Sequence, residues 1–373
     1  MEPVLSNISN EDDVYKFTLS GLNVSLANGL RRTILSDIPT IAFFTETYQD
    51  SQCNIQVNTT RLHNEILKHR LSCIPIHEPV NIKQRESTLL VGTHVLELDM
   101  KNETDSMIIV TTEHFRVKNK SSGKYLIPDE VRRIFPPNKK TNMFIDFARI
   151  RPKIGDSIPG EQLTLTAEFS IHTAKENSMF NVVSKCAYGN TLDMGRVNNV
   201  WSEQESTLRS QGVSDEDIEF QKKNFYLLDA QRHYVEDSFD YVVETLGVYD
   251  NKEIVKMAAL LLVNKLTDFI QNLESDSVPI LTSETTIENC YDITLENEDY
   301  TLGKILEYIL YEKYYVKDKT LTYCGFKKFH PHNSDSVIRM AYSQKVDRRM
   351  VAQYLKEAAT AAKDVYVKIY GMF

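Results

Sequence analysis

The chain has 373 residues, a length that suits two or three domains, and its 42% hydrophobic and 25% charged content is ordinary for a soluble globular protein. The net charge of −9 argues against nucleic-acid binding as the main task, because phosphate binding wants a net positive face, although a local basic patch stays compatible with it. The five cysteines (Cys53, Cys73, Cys186, Cys290 and Cys324) form no CxxC or Cys/His cluster, so no sequence-local zinc site is expected and the thiols read as reduced.

The first residues, MEPVLSNISNEDD, are acidic and lack the basic and apolar regions of a signal peptide. The longest apolar run, Met257 to Val263, is too short to span a membrane. An intracellular protein without a membrane partner is expected. A β-prone run, Val14 to Leu19, breaks at Gly21. A helix then starts at Asn23, whose side-chain oxygen suits an N-cap, and stops before Pro39. At about 100° per residue, its apolar residues (Val24, Leu26, Ala27, Leu30, Ile34, Leu35, Ile38) cover roughly half the circumference. That is wider than the stripe of a surface helix, so packing on two sides is predicted. Arg31 falls inside the apolar arc and Arg32 outside it. A guanidinium among apolar neighbours usually has a designated partner.

Thr40–Tyr48 and Asn54–Val57 read as strands, and Arg61–Ile76 as a helix ended by Pro75. His63 and His69 are on different faces of that helix, which argues against a metal site there. Strands are predicted at Leu89–Met100, Met107–Thr111, Thr141–Arg151 and Glu161–His172, with a loop-rich part around Pro128, Pro136 and Pro137. Trp201–Lys223 reads as a surface helix or a connector. Strands at Phe225–Asp229 and Ser238–Leu246 and a broad-faced helix at Lys252–Leu273 come next, and Ser275–Leu281 is the clearest linker signal. Beyond it lie a strand (Thr286–Glu296), a helix (Tyr300–Tyr314), two strands (Lys319–Lys327 and Ser336–Val346) and a long final helix (Arg348–Tyr370).

An overlay at an offset of 276 residues places FTLSGLNVSLANGLRRTI, from Phe17, on ITLENEDYTLGKILEYIL, from Ile293. Thr18, Leu19, Leu26 and Leu30 meet Thr294, Leu295, Leu302 and Leu306, and Asn23 meets Asp299, both cap-forming types. Two versions of one strand–helix unit are therefore expected. The residues predicted to pair them are Leu26, Leu30 and Ile34 of the first with Leu302, Ile305, Leu306, Ile309 and Leu310 of the second.

These stretches carry a resemblance. LANGLRRTILSDIPTIAF resembles the signature of the alpha-like subunits of multisubunit RNA polymerases: bacterial alpha, its archaeal D-type counterpart and the third-largest eukaryotic subunit. NTTRLHNEILKHRLSCIPI and FARIRPKIGDSIPGEQLTLTAEFSIHTAKENSMFNVV are similar to later blocks of the same family. The C-terminal YDITLENEDYTLGKILEYIL and YCGFKKFHPHNSDSVIRM resemble its smaller partner, the archaeal L-type or eleventh eukaryotic subunit. Tyr300 and Lys304 stand where that partner usually has histidine and asparagine. Residues 78–100 lack the cysteine cluster of many relatives, so no metal is carried over.

The resemblance implies an α+β fold with two dimerisation units, each an antiparallel sheet plus helices, pairing within one chain. The first (1–48 and 223–275) would be interrupted by a mostly β domain (49–222). A linker (276–284) would lead to the second (285–373). It further implies a non-catalytic assembly platform with no cofactor, metal or catalytic residues. Its partners would be the second-largest and largest polymerase subunits and other small ones, with DNA and RNA reached only through the complex. Arg31 and Arg32 would lie at the large-subunit interface, a fork of donors being suited to carboxylate or carbonyl partners. Fusion of the two partners suggests a large DNA virus, hence host cytoplasm and virion, with the nucleus as the alternative. The competing reading is a self-paired interaction module unrelated to transcription.

Overall fold

The structure is a computed structural model that describes all of residues 1–373 except 12, 82–85, 88–89, 156 and 285. Strands β1 (Val4–Glu11) and β2 (Val14–Ser20) form a hairpin that leads into α1 (Val24–Ser36). Asn23 caps α1 as expected: its Oδ1 accepts from the Ser25 amide at 2.8 Å, satisfying one orphan donor of the first turn. Next come β3 (Pro39–Ala42), β4 (Cys53–Asn58) and α2 (Asn64–Ser72). The two-residue strands β5 (Val80–Asn81) and β6 (Glu86–Ser87) precede β7 (His94–Lys101), β8 (Ile108–Thr111) and β9 (Arg116–Asn119). After α3 (Pro128–Ile134) the chain forms β10 (Asp146–Ile150), β11 (Gln162–Glu168), β12 (Ser170–Thr173) and β13 (Val183–Leu192). A helical hairpin, α4 (Met194–Ser210) and α5 (Asp215–Leu227), precedes β14 (Tyr234–Thr245) and α6 (Asn251–Glu274). The last part holds β15 (Ile280–Thr282), β16 (Cys290–Leu295) and α7 (Tyr300–Leu310), which continues as a π-helix over Tyr311–Lys317. It ends with β17 (Leu321–Lys327), β18 (Ser336–Tyr342) and α8 (Arg348–Tyr370).

The chain divides into two compact units. One comprises residues 34–184 and 245–257. Its main sheet has the order β4-β11-β7-β9 and encloses a core that includes Leu96, Leu98, Leu163 and Leu165. Leu67 and Leu71 of α2 join that core, and Arg70 leaves it to donate its Nε to the Phe147 carbonyl at 2.7 Å. Tyr249 donates its hydroxyl to the Pro39 carbonyl (2.8 Å) and accepts from the Val80 amide (3.2 Å). Burial pushes this phenol up to about 12, so it remains a neutral donor.

The other unit comprises residues 1–33, 185–244 and 258–373, and it contains two four-stranded antiparallel sheets. The N-terminal sheet has the order β1-β2-β14-β13 and the C-terminal one β15-β16-β18-β17. Taking the strands of each sheet in chain order, both orders read first, second, fourth, third. In both, a helix follows the second strand (α1, α7) and a longer helix follows the last (α6, α8). Under the 276-residue offset, β2 and α1, starting at Val14 and Val24, fall on β16 and α7, starting at Cys290 and Tyr300. Asp299 caps α7 with the geometry Asn23 uses, Oδ1 accepting from the amide two residues on at 2.8 Å.

Several sequence expectations are corrected. Phe225–Asp229 is not a strand. Phe225 lies in the last turn of α5, with its ring 5.5 Å from that of Trp201 on α4, so its apolar surface closes a helical hairpin. Trp201–Lys223 is accordingly parts of two helices, not one. Glu161–His172 is two strands, because β11 pairs with β4 and β7 whereas β12 pairs with β3. Thr40–Tyr48 leaves the ladder after Ala42. The linker signal contains the start of β15, whose Ile280 is buried opposite Ile293. The loop-rich part includes α3, which carries Pro128 in its first turn, where a missing amide costs nothing. Leu89, the expected start of a strand, lies outside the described residues.

The π-helix is tied to α8 through one carboxylate. Glu357 accepts from Lys313 Nζ at 2.7 Å and from the Tyr314 hydroxyl. The bond from Lys313, then that from Tyr314, holds its pKa at about 2, below an ordinary value of 4.5. Because the folded pKa is depressed, the stability this clasp supplies is complete above about pH 4.5 and disappears as pH falls through about 2. Glu357→Gln should therefore flatten the acid limb of stability against pH over that window. Chemical denaturation from pH 7 to pH 2 measures it.

Candidate pairing and docking interface

Helix α1 is where the two sheet-and-helix halves of the larger unit meet. The predicted pairing residues Leu26, Leu30, Ile34, Leu302, Ile305, Leu306, Ile309 and Leu310 are all buried. Sequence reasoning overlooked the residue that sets the spacing, Gly29. A β-carbon there would lie 2.7 Å from Ile305 Cδ1 of α7 and 2.8 Å from the Tyr366 hydroxyl of α8. Its signal was available: an unforced glycine in the middle of a helix costs about 1 kcal/mol, and a packing reason is the usual explanation.

Two fully buried tyrosines hold the same turn of α1. Tyr366 donates to the Leu26 carbonyl at 2.9 Å, and Tyr241 of β14 donates to the Ala27 carbonyl at 2.6 Å. Burial raises both phenols well above their ordinary range, which keeps them protonated as donors. Tyr241 also stacks on Phe17 of β2 (ring centroids 4.9 Å apart), and the ring of Phe373 meets Phe17 edge-on at 5.2 Å.

Around this apolar contact lies a charged seam. Arg32 reaches the cap of α7, with Nη2 2.8 Å from Asp299 Oδ2 and Nε donating to Thr301 Oγ1 at 3.0 Å. Lys265 of α6 pairs with the neighbouring Glu298 at 3.2 Å. Two cations from the first half thus converge on consecutive acids of the second. Arg31 behaves differently. Its Nε and Nη2 both donate to Asn28 Oδ1 on its own helix, at 3.0 and 2.9 Å. It lies near enough to Cys186 and Tyr188 of β13 for its charge to oppose the upward push of burial on both groups. Both arginines are half-buried, and the arc position did not reveal that Arg32 closes the seam.

Gly29→Ala tests the spacing by its sign. On an exposed helix the change stabilises by about 1 kcal/mol. Here the added methyl must displace Ile305 or Tyr366, so we expect a loss of about 1–3 kcal/mol in denaturant titration. Adding Ile305→Val should recover part of it, because the two positions share one space.

The chain is similar to known proteins. A family model described as the RNA polymerase Rpb3/Rpb11 dimerisation domain matches residues 16–266. The DNA-directed RNA polymerase subunit Rpo3 of Pyrococcus furiosus is 25% identical over 284 residues, covering 72% of this chain and 95% of that protein. The DNA-directed RNA polymerases I and III subunit RPAC1 of Bos taurus is 24% identical over 300 residues, covering 71% and 83%. The DNA-directed RNA polymerases II, IV and V subunit 3 of Arabidopsis thaliana is 39% identical over 66 residues, 18% of each chain. With more than half of its length matched by the model, the chain belongs to the RNA polymerase Rpb3/Rpb11 dimerisation domain family.

Proposed function

We propose that this protein is the non-catalytic assembly subunit of a multisubunit DNA-directed RNA polymerase, carrying both partners of an alpha-like heterodimer in one polypeptide. The observation that supports the fused reading most directly is the shared strand order of the two sheets, each with its inner and closing helix. The family match ends at residue 266, so assignment of the second partner rests on that topology and on the C-terminal motifs. The expected domain bounds (1–48 and 223–275, 49–222, 285 onward) shift with the sheets: β13 is a strand of the first dimerisation sheet, so we end the inserted mostly β domain before it rather than at 222, and β15 pairs into the second sheet, so we start the second dimerisation domain before 285.

In this role the chain pairs with itself and then docks the second-largest and largest subunits. The two arginines divide the work. Arg32 is engaged by Asp299 and Thr301 and holds the seam, whereas the described hydrogen bonds of Arg31 stay on its own helix, which leaves Arg31 as the candidate for contact with a large subunit. Fusion of two partners that are usually separate chains supports a large DNA virus as the source, with the host cytoplasm and the virion as its locations. Among the described residues no helix is long and apolar enough to cross a membrane.

Co-purification with a second-largest polymerase subunit tests the proposal. Arg31→Ala should weaken that complex about tenfold while leaving the melting temperature unchanged. Arg32→Ala should instead lower stability by about 1 kcal/mol, as expected for a partly exposed pair. An Arg31→Ala chain that assembles as well as the parent would remove Arg31 from the interface. A parent chain with no affinity for that subunit would favour an interaction module unrelated to transcription.

A further inference from the structure

The connection between the last two strands differs in the two halves. In the N-terminal half, β13 and β14 are joined by the α4–α5 hairpin. In the C-terminal half, β17 and β18 are joined by the short loop KFHPHNSD, residues 328–335. From Lys319 to Ser334 the chain carries three lysines and two histidines and no acidic residue. Exposed aromatic surface accompanies this charge. Phe329 is 60% exposed, and Lys327 Nζ lies 4.4 Å from its ring centroid. His330 and His332 are exposed with their rings at right angles, 4.9 Å apart.

The loop is shaped rather than loose. The His332 amide donates to His330 Nδ1 at 3.2 Å, the Asn333 amide donates to the His330 carbonyl at 3.1 Å, and Lys328 Nζ reaches the Ser334 carbonyl. Two nearby carboxylates are occupied, one of them Asp335 at the end of the loop itself. Asp335 accepts from the Asn297 amide and the Ser334 hydroxyl, and Glu307 accepts from Lys304 Nζ and the Phe326 amide.

A second aromatic cluster lies between the end of β17 and the start of α7. Tyr300 meets Phe326 edge-on at 5.2 Å, and Lys304 Nζ lies 5.8 Å from the same ring. Phe326 can lie there because Gly303 has no side chain: a β-carbon would be 2.0 Å from the ring. Tyr300 and Lys304 are the positions at which the sequence departs from the smaller partner's usual histidine and asparagine. Lys304 puts a cation where the partner usually has a neutral amide, and Tyr300 keeps an aromatic ring at its position.

Exposed rings beside flexible cations are the elements of a single-strand platform, in which bases stack on the rings and lysines follow the phosphates. We propose that the β17–β18 loop, with Lys327, Lys328, Phe329, His330 and His332, is a direct binding site for single-stranded nucleic acid. The negative charge of the whole chain does not oppose this at short range, because screening limits distant carboxylates to about 10 Å at 0.1 M salt.

Fluorescence anisotropy of the full chain with labelled twelve-nucleotide oligo(U) and oligo(dT) at 50 and 200 mM salt tests the site. Phe329→Ala should weaken binding at least about fivefold at either salt, and Phe329→Trp should restore it. Lys327→Ala with Lys328→Ala should also lower the slope of log affinity against log salt by about one. Lys16→Ala with Lys185→Ala, exposed on the other sheet, should change neither. Tighter binding of oligo(U) would identify RNA as the ligand, and tighter binding of oligo(dT) would identify DNA. The proposal is overturned by a parent chain that binds neither oligonucleotide. It is equally overturned if polyglutamate displaces them at equal charge concentration and Phe329→Ala has no effect, which would point to an acidic polypeptide.

Discussion

The absence of a side chain at Gly29 sets how closely α1 approaches the C-terminal helices, and the larger unit depends on that distance. Ile305 and Tyr366 occupy the space a β-carbon would take. Their approach lets Tyr366 reach the Leu26 carbonyl while Tyr241 reaches the next one along. These carbonyls also belong to the helix ladder, so each uses its second lone pair and neither tyrosine hydroxyl is left unsatisfied. A larger residue at position 29 would therefore disturb packing and hydrogen bonding together. The broad apolar face of α1 follows from the same arrangement: a helix held by its own sheet and by α7 and α8 has little surface left for solvent.

The charged seam adds orientation to this apolar contact. Asp299 already sits favourably at the positive end of α7, where its side chain also caps the helix. Arg32 adds a second partner to that carboxylate, and Lys265 brings another cation to Glu298. Both pairs are partly exposed, so their contribution to stability is modest. Their arrangement still matters for specificity. A register shift of α7 along α1 would separate Arg32 from both Asp299 and Thr301 at once, and a fork of guanidinium donors tolerates such displacement poorly.

The parts of this fold that could be read from sequence are those in which local chemistry and packing agree. The Asn23 cap, the final helix from Arg348 to Tyr370 and the 276-residue correspondence all rest on short-range patterns. Strand β1 was missed because its residues, VLSNISNE, are mostly exposed and polar and are held by pairing with β2. A polar ladder also secures that sheet: Asn7 donates to Thr18, and Thr18 and Thr191 both donate to Asp240. Such partners are far apart in sequence and leave no periodic signal. Phe225 was misread for a related reason. A short apolar run can serve a strand or a helix end, and Trp201 decides the matter from twenty-four residues away. Within the site, the arc position marked Arg31 and Arg32 as different, but the contact of Arg32 with Asp299 spans 267 residues and needed the fold.

Repetition of one topology within a chain also separates what the architecture requires from what each copy has acquired. The strand order, the cap and the helix after the second strand occur in both halves and are tied to burial of α1 and α7. The connection before the last strand escapes that requirement, because it joins neighbouring strands at the rim of each sheet. It accordingly differs: a helical hairpin closed by Trp201 and Phe225 in one half, a compact basic and aromatic loop in the other. The shared core of the repeat accounts for self-pairing, whereas its two rims present unlike surfaces. In the proposed assembly role, unlike rims would let the chain distinguish its partners, since two identical faces would be docked interchangeably.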